Sequence, residues 1–209
     1  MPFTEFVIPT LKTDPETAAL FGAELGPYLV KILDTHVHPP KEKYFGKILV
    51  ENGIDVSEQF RLVMGLEWHA DSDFNSFIDS DDFDRFKGLV KPHSQAPPVP
   101  QLYETDLSPN GVFGSPLSEV WQVQVGEDAD KVAQAKKAWE KFIAAVEAAG
   151  TVSKIQGPSL NLEEKRWVGV LGWESKEARE KILGTAEVKE AKKEFETFVF
   201  NTFTSVFSK

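Results

Sequence analysis

Glu67 and His69 are the residues of this 209-residue chain whose types and spacing best suit acid–base chemistry. They lie at the end of the segment Gln59–Trp68, in which apolar residues alternate as they do in a strand. Side chains two apart on a strand share a face, so Glu67 can orient His69 as a general base. A carboxylate held among apolar groups also has its pKa raised towards neutrality. The alternative is that Glu67 pairs with an arginine of a neighbouring strand and that His69 is merely exposed.

The aromatic residues indicate a cavity for an apolar ligand. The chain has 16 Phe, 5 Trp and 3 Tyr. Tyr103 lies on a predicted strand and can donate a proton to a ligand oxygen. Four further residues of predicted strands are candidates to bind a flat or apolar molecule: Met64, Trp68, Trp121 and Trp173. Packing between a sheet and its helices is the better explanation of each tryptophan taken alone.

His36 and His38 are the candidates for a metal site. Two histidines two apart on an extended segment share a face and can hold one metal ion. Their surroundings resemble the His-x-His motif of amidohydrolase barrels, but that fold needs eight βα units and about 250 residues. The alternative places His36 in the last turn of a helix, where a cation suits the helix dipole. We therefore predict no metal and keep this pair as the alternative.

The composition excludes several classes of function. With 23 basic and 33 acidic residues the net charge is −10, which argues against binding to nucleic acid or to an anionic membrane. The chain has no cysteine, so disulfides, thiolate nucleophiles and iron–sulfur clusters are excluded. No phosphate-binding glycine loop or nucleophile elbow occurs. No targeting segment or membrane span is recognisable, and we expect a cytoplasmic protein.

The sequence contains an internal repeat. A shift of 105 residues aligns Arg61–Trp68 with Arg166–Trp173 without a gap, and the agreement continues over roughly 27 residues. All four histidines lie in the first copy. The charge is also uneven, since residues 1–112 hold 9 basic and 18 acidic side chains and the rest hold 14 and 15. This asymmetry predicts one retained site in the first copy and a scaffold in the second; drift of an exposed surface is the alternative.

Each copy is predicted to form strand, helix, strand, strand, helix and strand. The elements predicted for the first copy are Phe3–Leu11, a helix from Asp14 to Thr35 broken at Gly26–Pro27, Tyr44–Val50, Gln59–Trp68, Asp73–Leu89 and Val99–Thr105. Those of the second copy are Glu119–Val125, a helix from Asp128 to Gly150, Ser153–Gln156, Lys165–Trp173, helices within Lys176–Lys193, and Phe195–Phe207. The predicted modules are residues 1–107 and 118–209, joined by a linker over 108–117. The fold class is α+β, with two tandem ferredoxin-like modules that close one barrel.

The strand-to-helix junctions Leu66–Phe74 and Leu171–Ala178 are similar to those of the dimeric α/β-barrel superfamily. Within it, they most resemble antibiotic-biosynthesis-monooxygenase-like domains, in which a Trp ends the third strand and an acidic helix start follows. The positions Ser80 and Thr185 resemble the small-residue break in that family's second helix. The resemblance covers nearly the whole chain as a pattern and implies a barrel complete in one chain, with a higher oligomer possible.

The resemblance also implies a function. It implies a small-molecule enzyme of secondary metabolism that needs no cofactor and carries out oxygenation, cyclisation, isomerisation or decarboxylation. The substrate would be apolar or aromatic, and polyketide-like. One alternative is a barrel that binds a hydrophobic ligand or serves in a stress response without catalysis. Another is a haem protein, because related barrels bind haem through an axial histidine, or a metal enzyme that uses His36 and His38.

Overall fold

The computed structural model describes residues 1–126 and 128–209, in which nine strands and eight α-helices occur. The strands are β1 (Phe3–Val7), β2 (Glu42–Glu51), β3 (Ile54–Asp55), β4 (Leu62–Trp68), β5 (Gln101–Glu104), β6 (Leu117–Gln124), β7 (Ser153–Pro158), β8 (Arg166–Trp173) and β9 (Val199–Ser208). The helices are α1 (Pro15–Leu20), α2 (Gly26–Thr35), α3 (Asp71–Ile78), α4 (Asp81–Val90), α5 (Asn110–Phe113), α6 (Ala129–Ala149), α7 (Lys176–Leu183) and α8 (Ala186–Glu196). A π-helical turn, Phe21–Leu25, joins α1 to α2.

The strand order confirms the predicted fold. Strands β1 to β5 form module 1, in the order β5-β1-β4-β2, and β6 to β9 form module 2, in the order β9-β6-β8-β7. Both orders are those of a ferredoxin-like unit. An antiparallel ladder between β2 and β9 joins the modules. At the other edges, a bridge between Tyr103 and Ser159 brings β5 against β7, so the sheet is a nearly closed barrel.

Strand register shows that the repeat is structural. Glu5 of β1 lies opposite Leu66 of β4, and Glu119 of β6 lies opposite Leu171 of β8. Leu66 and Leu171 are 105 residues apart, which is the shift found in the sequence. Helices α3 and α7 obey the same shift at both ends. Positions in the two modules can therefore be compared one by one.

Apolar side chains form three cores, one inside the barrel and one between each sheet and its helices. Alternation along the strands divides the side chains between the barrel interior and the helix layer. The interior includes Phe6, Tyr44, Val63, Val120, Ile155, Val168 and Phe203. The predicted linker contains α5, whose Val112 and Phe113 are also buried in this interior. The Phe113 ring lies where a Cβ on Gly65 would be, so this close approach requires glycine.

Several elements differ from the sequence prediction in their bounds, three of them for a reason that the structure shows. The strand predicted over Phe3–Leu11 ends at Val7, because Pro9 has no amide hydrogen for the ladder. The helical region predicted over Asp73–Leu89 is two helices, because the Ser80 side chain caps α4 by accepting the Phe83 amide hydrogen. The last strand begins only at Val199, since α8 continues to Glu196.

Across residues 1–126 and 128–209, no helix has both the length and the apolar character that crossing a membrane requires.

Gly157 tests how tightly the barrel closes. A Cβ on this β7 residue would lie 2.0 Å from the carbonyl oxygen of Glu104, next to the β5–β7 contact. We expect Gly157→Ala to lower the free energy of unfolding by about 1–3 kcal/mol in urea denaturation, because one strand must move away. Gly111→Ala is the control, since its Cβ meets Ser153 at an ordinary 3.5 Å. Equal stability of both variants would show that β5 and β7 are not held together.

Candidate functional site

A cavity of about 580 Å³ lies in module 1, between the outer face of the sheet and the helices α1, α2 and α4. This module 1 cavity has a size typical of small-molecule sites. Its walls are almost entirely apolar. The residues that line it on the strands include Glu5, Val7, Phe45, Leu62, Met64 and Leu66, and those on the helices include Ala18, Phe21, Leu29, Phe77, Phe83 and Phe86. Glu5 is the one ionisable residue of this lining within the described part of the chain.

The matching layer of module 2 is filled by tryptophan. Strand register places Trp121 at the position of Val7, and the shift of 105 residues places Trp167 at the position of Leu62. The Trp139 ring packs 5.9 Å from that of Trp121 and 5.2 Å from that of Trp167, measured between centroids. The smaller residues in module 1 leave the space that these rings occupy in module 2.

The helix over the cavity is also unlike its counterpart. Helix α6 runs unbroken for 21 residues, whereas α1 and α2 are separated by the π-helical turn. A Cβ on Gly26 would lie 2.9 Å from the carbonyl oxygen of Phe21, so the turn needs glycine there. Gly22 and Pro27 are the exposed residues of the helical lining and mark its solvent side. π-Helical turns are often found at functional sites.

Glu5 is a carboxyl group buried in this apolar wall, with only 2% of its surface exposed. The indole Nε1 of Trp68 donates a hydrogen bond to its Oε2, at 2.7 Å. Burial raises the pKa of Glu5 from 4.5 to about 8, and the indole hydrogen bond offsets part of this effect. A group with such a pKa can both accept and return a proton near neutral pH.

Glu67 and His69 are not brought together. Glu67 points to the barrel side of β4, where Lys41 Nζ and Ser108 Oγ each donate a hydrogen bond to it at 2.7 Å. His69 is exposed beyond the end of the strand. This is close to the alternative considered for the pair, with a lysine in place of the arginine. Their catalytic role stays a prediction, and both lie outside the lining of the module 1 cavity.

The other predicted site residues are spread over the three cores. Tyr103 lies inside the barrel, where its hydroxyl donates to Gln101 Oε1 at 2.8 Å and burial raises its pKa. Trp121 and Trp173 pack in the helix layer of module 2. Met64 lines the module 1 cavity, and Trp68 lies beside it through its bond to Glu5.

The histidine pair at 36 and 38 lies on the surface. His36 Nε2 is 3.5 Å from Ser76 Oγ, and His38 Nδ1 is 3.8 Å from a carboxylate oxygen of Asp73. Within the described residues no group of three or more His, Asp or Glu side chains is arranged to hold a metal ion.

A haem with an axial histidine does not fit the residues of the module 1 cavity. None of its described lining residues is a histidine, and its single ionisable group is the Glu5 carboxyl.

Glu5 is a candidate functional residue that the sequence analysis did not single out. The signal was present in the segment Phe3-Thr-Glu-Phe-Val7. Alternation places Glu5 on the same face as Phe3 and Val7, so it is a carboxylate flanked by apolar residues that face the helices. The sequence analysis favoured Glu67 because a carboxylate two residues from a histidine is a common acid–base pattern. Glu67, however, lies on the face of the sheet opposite to that of Glu5.

Comparison with known proteins shows the fold. No protein-family model matches the chain, and no curated protein matches it. Among solved structures, an anthrone oxidase-like protein matches 98% of this chain over 91% of its own, at 14% identity and a TM-score of 0.65. The chain has the dimeric α/β-barrel fold.

Two further structures support this assignment. A candidate monooxygenase from Fusobacterium nucleatum matches 99% of this chain over 91% of its own, at 10% identity and a TM-score of 0.60. Chlorite dismutase from Candidatus Nitrospira defluvii in complex with imidazole matches 100% of this chain over 91% of its own, at 14% identity and a TM-score of 0.55. At these identities the likeness concerns the α/β-barrel fold and not the chemistry.

The pH dependence of stability tests the state of Glu5. Between pH 4.5 and about 8 the folded protein holds a proton that the unfolded chain has released. The free energy of unfolding should therefore fall as the pH rises through this window, by an amount on the order of 5 kcal/mol at ~1.4 kcal/mol per pKa unit.

Urea denaturation from pH 5 to pH 9 measures this dependence. Glu5→Gln should lose that part of the pH dependence and become the more stable protein at pH 9. Glu24→Gln removes an exposed carboxyl of the same region and should behave as the wild type. A Glu5→Gln variant that keeps the wild-type pH dependence would contradict a buried, protonated carboxyl.

Proposed function

We propose that this dimeric α/β barrel is a small-molecule enzyme that carries out acid–base chemistry in the module 1 cavity, with Glu5 as the group that moves the proton. The observation that supports it is the single carboxyl in an otherwise apolar cavity, bonded to Trp68. The substrate is an apolar or aromatic molecule, because the walls offer dispersion contacts and one polar group.

The proposed step is a proton transfer. Glu5 in its carboxylate form takes a proton from a weakly acidic C–H or O–H bond of the substrate, and the electron pair of that bond stays on the substrate. The Trp68 indole holds Oε2, so Oε1 is the oxygen available to the substrate. Return of the proton to another atom completes an isomerisation or a cyclisation and restores the carboxylate.

The site favours some of the implied reactions over others. Isomerisation and cyclisation need proton transfers alone, which one carboxyl can supply. Oxygenation would in addition need molecular oxygen as the oxidant. A decarboxylation substrate would bring a carboxylate into an apolar cavity beside Glu5, where desolvation and like charge oppose it.

The role of Glu5 as the general base is tested with 5-nitrobenzisoxazole, an apolar bicyclic molecule. Loss of its C3 proton to a base breaks its N–O bond and releases a coloured cyanophenolate. We expect the rate to rise with pH with a midpoint near 8, because Glu5 must be ionised to accept the proton. Glu5→Gln should lower the rate at pH 9 by about 100-fold or more, the usual contribution of a general base.

Two controls accompany this assay. Glu24→Gln should retain the wild-type rate. His69→Ala tests the residue that the sequence analysis favoured, and a loss of rate in this variant with none in Glu5→Gln would move the base to the His69 end of β4 and overturn the proposal.

Filling the cavity tests where ligands bind. Val7→Trp introduces the residue that fills the same position in module 2. We expect it to weaken binding of the neutral fluorophore N-phenyl-1-naphthylamine by about 10-fold or more, because its ring takes the ligand's space. Val37→Trp adds the same side chain at an exposed position and should leave binding unchanged. Equal binding by all three proteins would place the apolar site elsewhere.

A non-catalytic ligand-binding barrel is the second candidate, and the apolar walls favour it. In that case Val7→Trp still weakens binding of the fluorophore, but no substrate is turned over and Glu5→Gln leaves the slow reaction of 5-nitrobenzisoxazole unchanged. The two assays together therefore separate an enzyme from a binding protein.

A further inference from the structure

The two modules hold the same strand glutamate in two different environments. Glu5 and Glu119 occupy matching positions, as do Trp68 and Trp173, which end their strands 105 residues apart. The third position of the set lies on the helix that follows. It is Phe74 in α3 and Arg179 in α7, again 105 residues apart.

In module 2 the glutamate is an ion pair. Arg179 donates to Glu119 through Nε at 2.7 Å and through Nη2 at 2.6 Å, one bond to each carboxylate oxygen. This bidentate pair occupies both oxygens of Glu119. The indole Nε1 of Trp173 is buried and has no hydrogen-bond partner within the described residues. The carboxylate of Glu119 is therefore bonded to the arginine and not to the indole.

In module 1 the carboxyl of Glu5 is hydrogen-bonded to the Trp68 indole instead. Trp68 Nε1 donates to Glu5 Oε2, while Oε1 accepts no hydrogen bond from the described residues. Phe74 is fully buried and packs against the Trp68 ring, with 6.2 Å between centroids. It brings no charge to the position from which Arg179 reaches Glu119.

The groups around Glu5 are all uncharged. Leu66 of β4 and Leu102 of β5 lie directly opposite it in the sheet. The residues of α1, the π-helical turn, α2, α3 and α4 that line the cavity are apolar or glycine, and among the described residues no charged side chain contributes to the pKa of Glu5. The residue at position 74 is thus the point at which a cation would reach it.

We propose that Phe74 and Trp68 are positioning residues for Glu5. The apolar side chain at position 74 leaves the carboxyl on the Trp68 indole, with one oxygen free to exchange a proton with a ligand, whereas an arginine at this position turns the same glutamate into a structural ion pair. Only the part that concerns the ligand rests on the proposed function. Module 2 shows the ion-paired form of the same three-residue arrangement.

The effect of the residue at position 74 on Glu5 is tested by NMR of the tryptophan indole N–H groups in ¹⁵N-labelled protein. This measurement needs no ligand. In the wild type the Trp68 signal should shift with pH with a midpoint near 8, because its acceptor titrates. In Phe74→Arg this titration should disappear between pH 6 and pH 9, since the new cation keeps Glu5 ionised. Phe74→Leu keeps an apolar side chain and should retain it.

The reciprocal variant is made in module 2. Arg179→Phe releases Glu119, and we expect the Trp173 indole signal to move downfield as it gains the carboxyl as an acceptor. Unchanged signals of Trp139 and Trp167 report that the core of module 2 is intact. A Trp173 signal that does not move in a folded Arg179→Phe protein would overturn the equivalence of the two sites.

A second variant covers the case in which Phe74→Arg does not fold. Trp68→Phe removes the donor that lowers the pKa of Glu5, so the pH midpoint of the 5-nitrobenzisoxazole rate should rise above that of the wild type. An unchanged midpoint, or a Trp68 titration that persists in folded Phe74→Arg, would refute the positioning role. If the Trp68 titration is lost in Phe74→Arg as expected and no protein turns over 5-nitrobenzisoxazole, the proposed function fails and the positioning role stands.

Discussion

The rest of this protein depends on the packing of the two modules' halves of the sheet around one barrel interior. Each module has helices for one face of its sheet, so the other face must be buried against a second sheet. Side chains such as Phe6, Val120 and Phe203 fill this interior and are at most 1% exposed. Because the β2–β9 ladder and the β5–β7 contact hold the two sheets edge to edge, each helix layer can change its packing without opening the barrel.

The two helix layers have diverged within this constraint. The helix layer of module 2 is packed with aromatic rings, among which Trp139 contacts Trp121, Trp167 and Phe195. Module 1 leaves the equivalent volume open, and a void in a core forfeits contacts that would stabilise the fold. A rigid barrel with one dense layer can tolerate such a void in the other. The two halves of one chain thus differ in packing, with a dense helix layer in module 2 and the cavity in module 1.

Much of the fold could be predicted from the sequence, because repeats and alternation are local signals. The shift of 105 residues and the cap at Asp128 both correspond to observed structure. The site was harder, because it depends on which face of the sheet remains hollow. The pattern around Glu67 and His69 is the same whether that face meets the barrel interior or the helices. The hollow follows from Val7 and Leu62, which stand where tryptophans stand in module 2. The shift of 105 residues pairs Leu62 with Trp167, but only strand register pairs Val7 with Trp121.

The hydrogen bonding of buried polar groups separates structural residues from the candidate catalytic one. Inside the barrel, Tyr103 donates to Gln101, Gln122 donates to the same oxygen, and Asn201 donates to Gln122. Such a connected chain serves the fold, because each bond satisfies a group that burial would otherwise destabilise. Glu5 accepts one hydrogen bond, from Trp68, and lines the module 1 cavity. Burial in this low-dielectric layer raises the pKa of Glu5 to about 8, and a ligand that donates a hydrogen bond to its second oxygen would stabilise the carboxylate form.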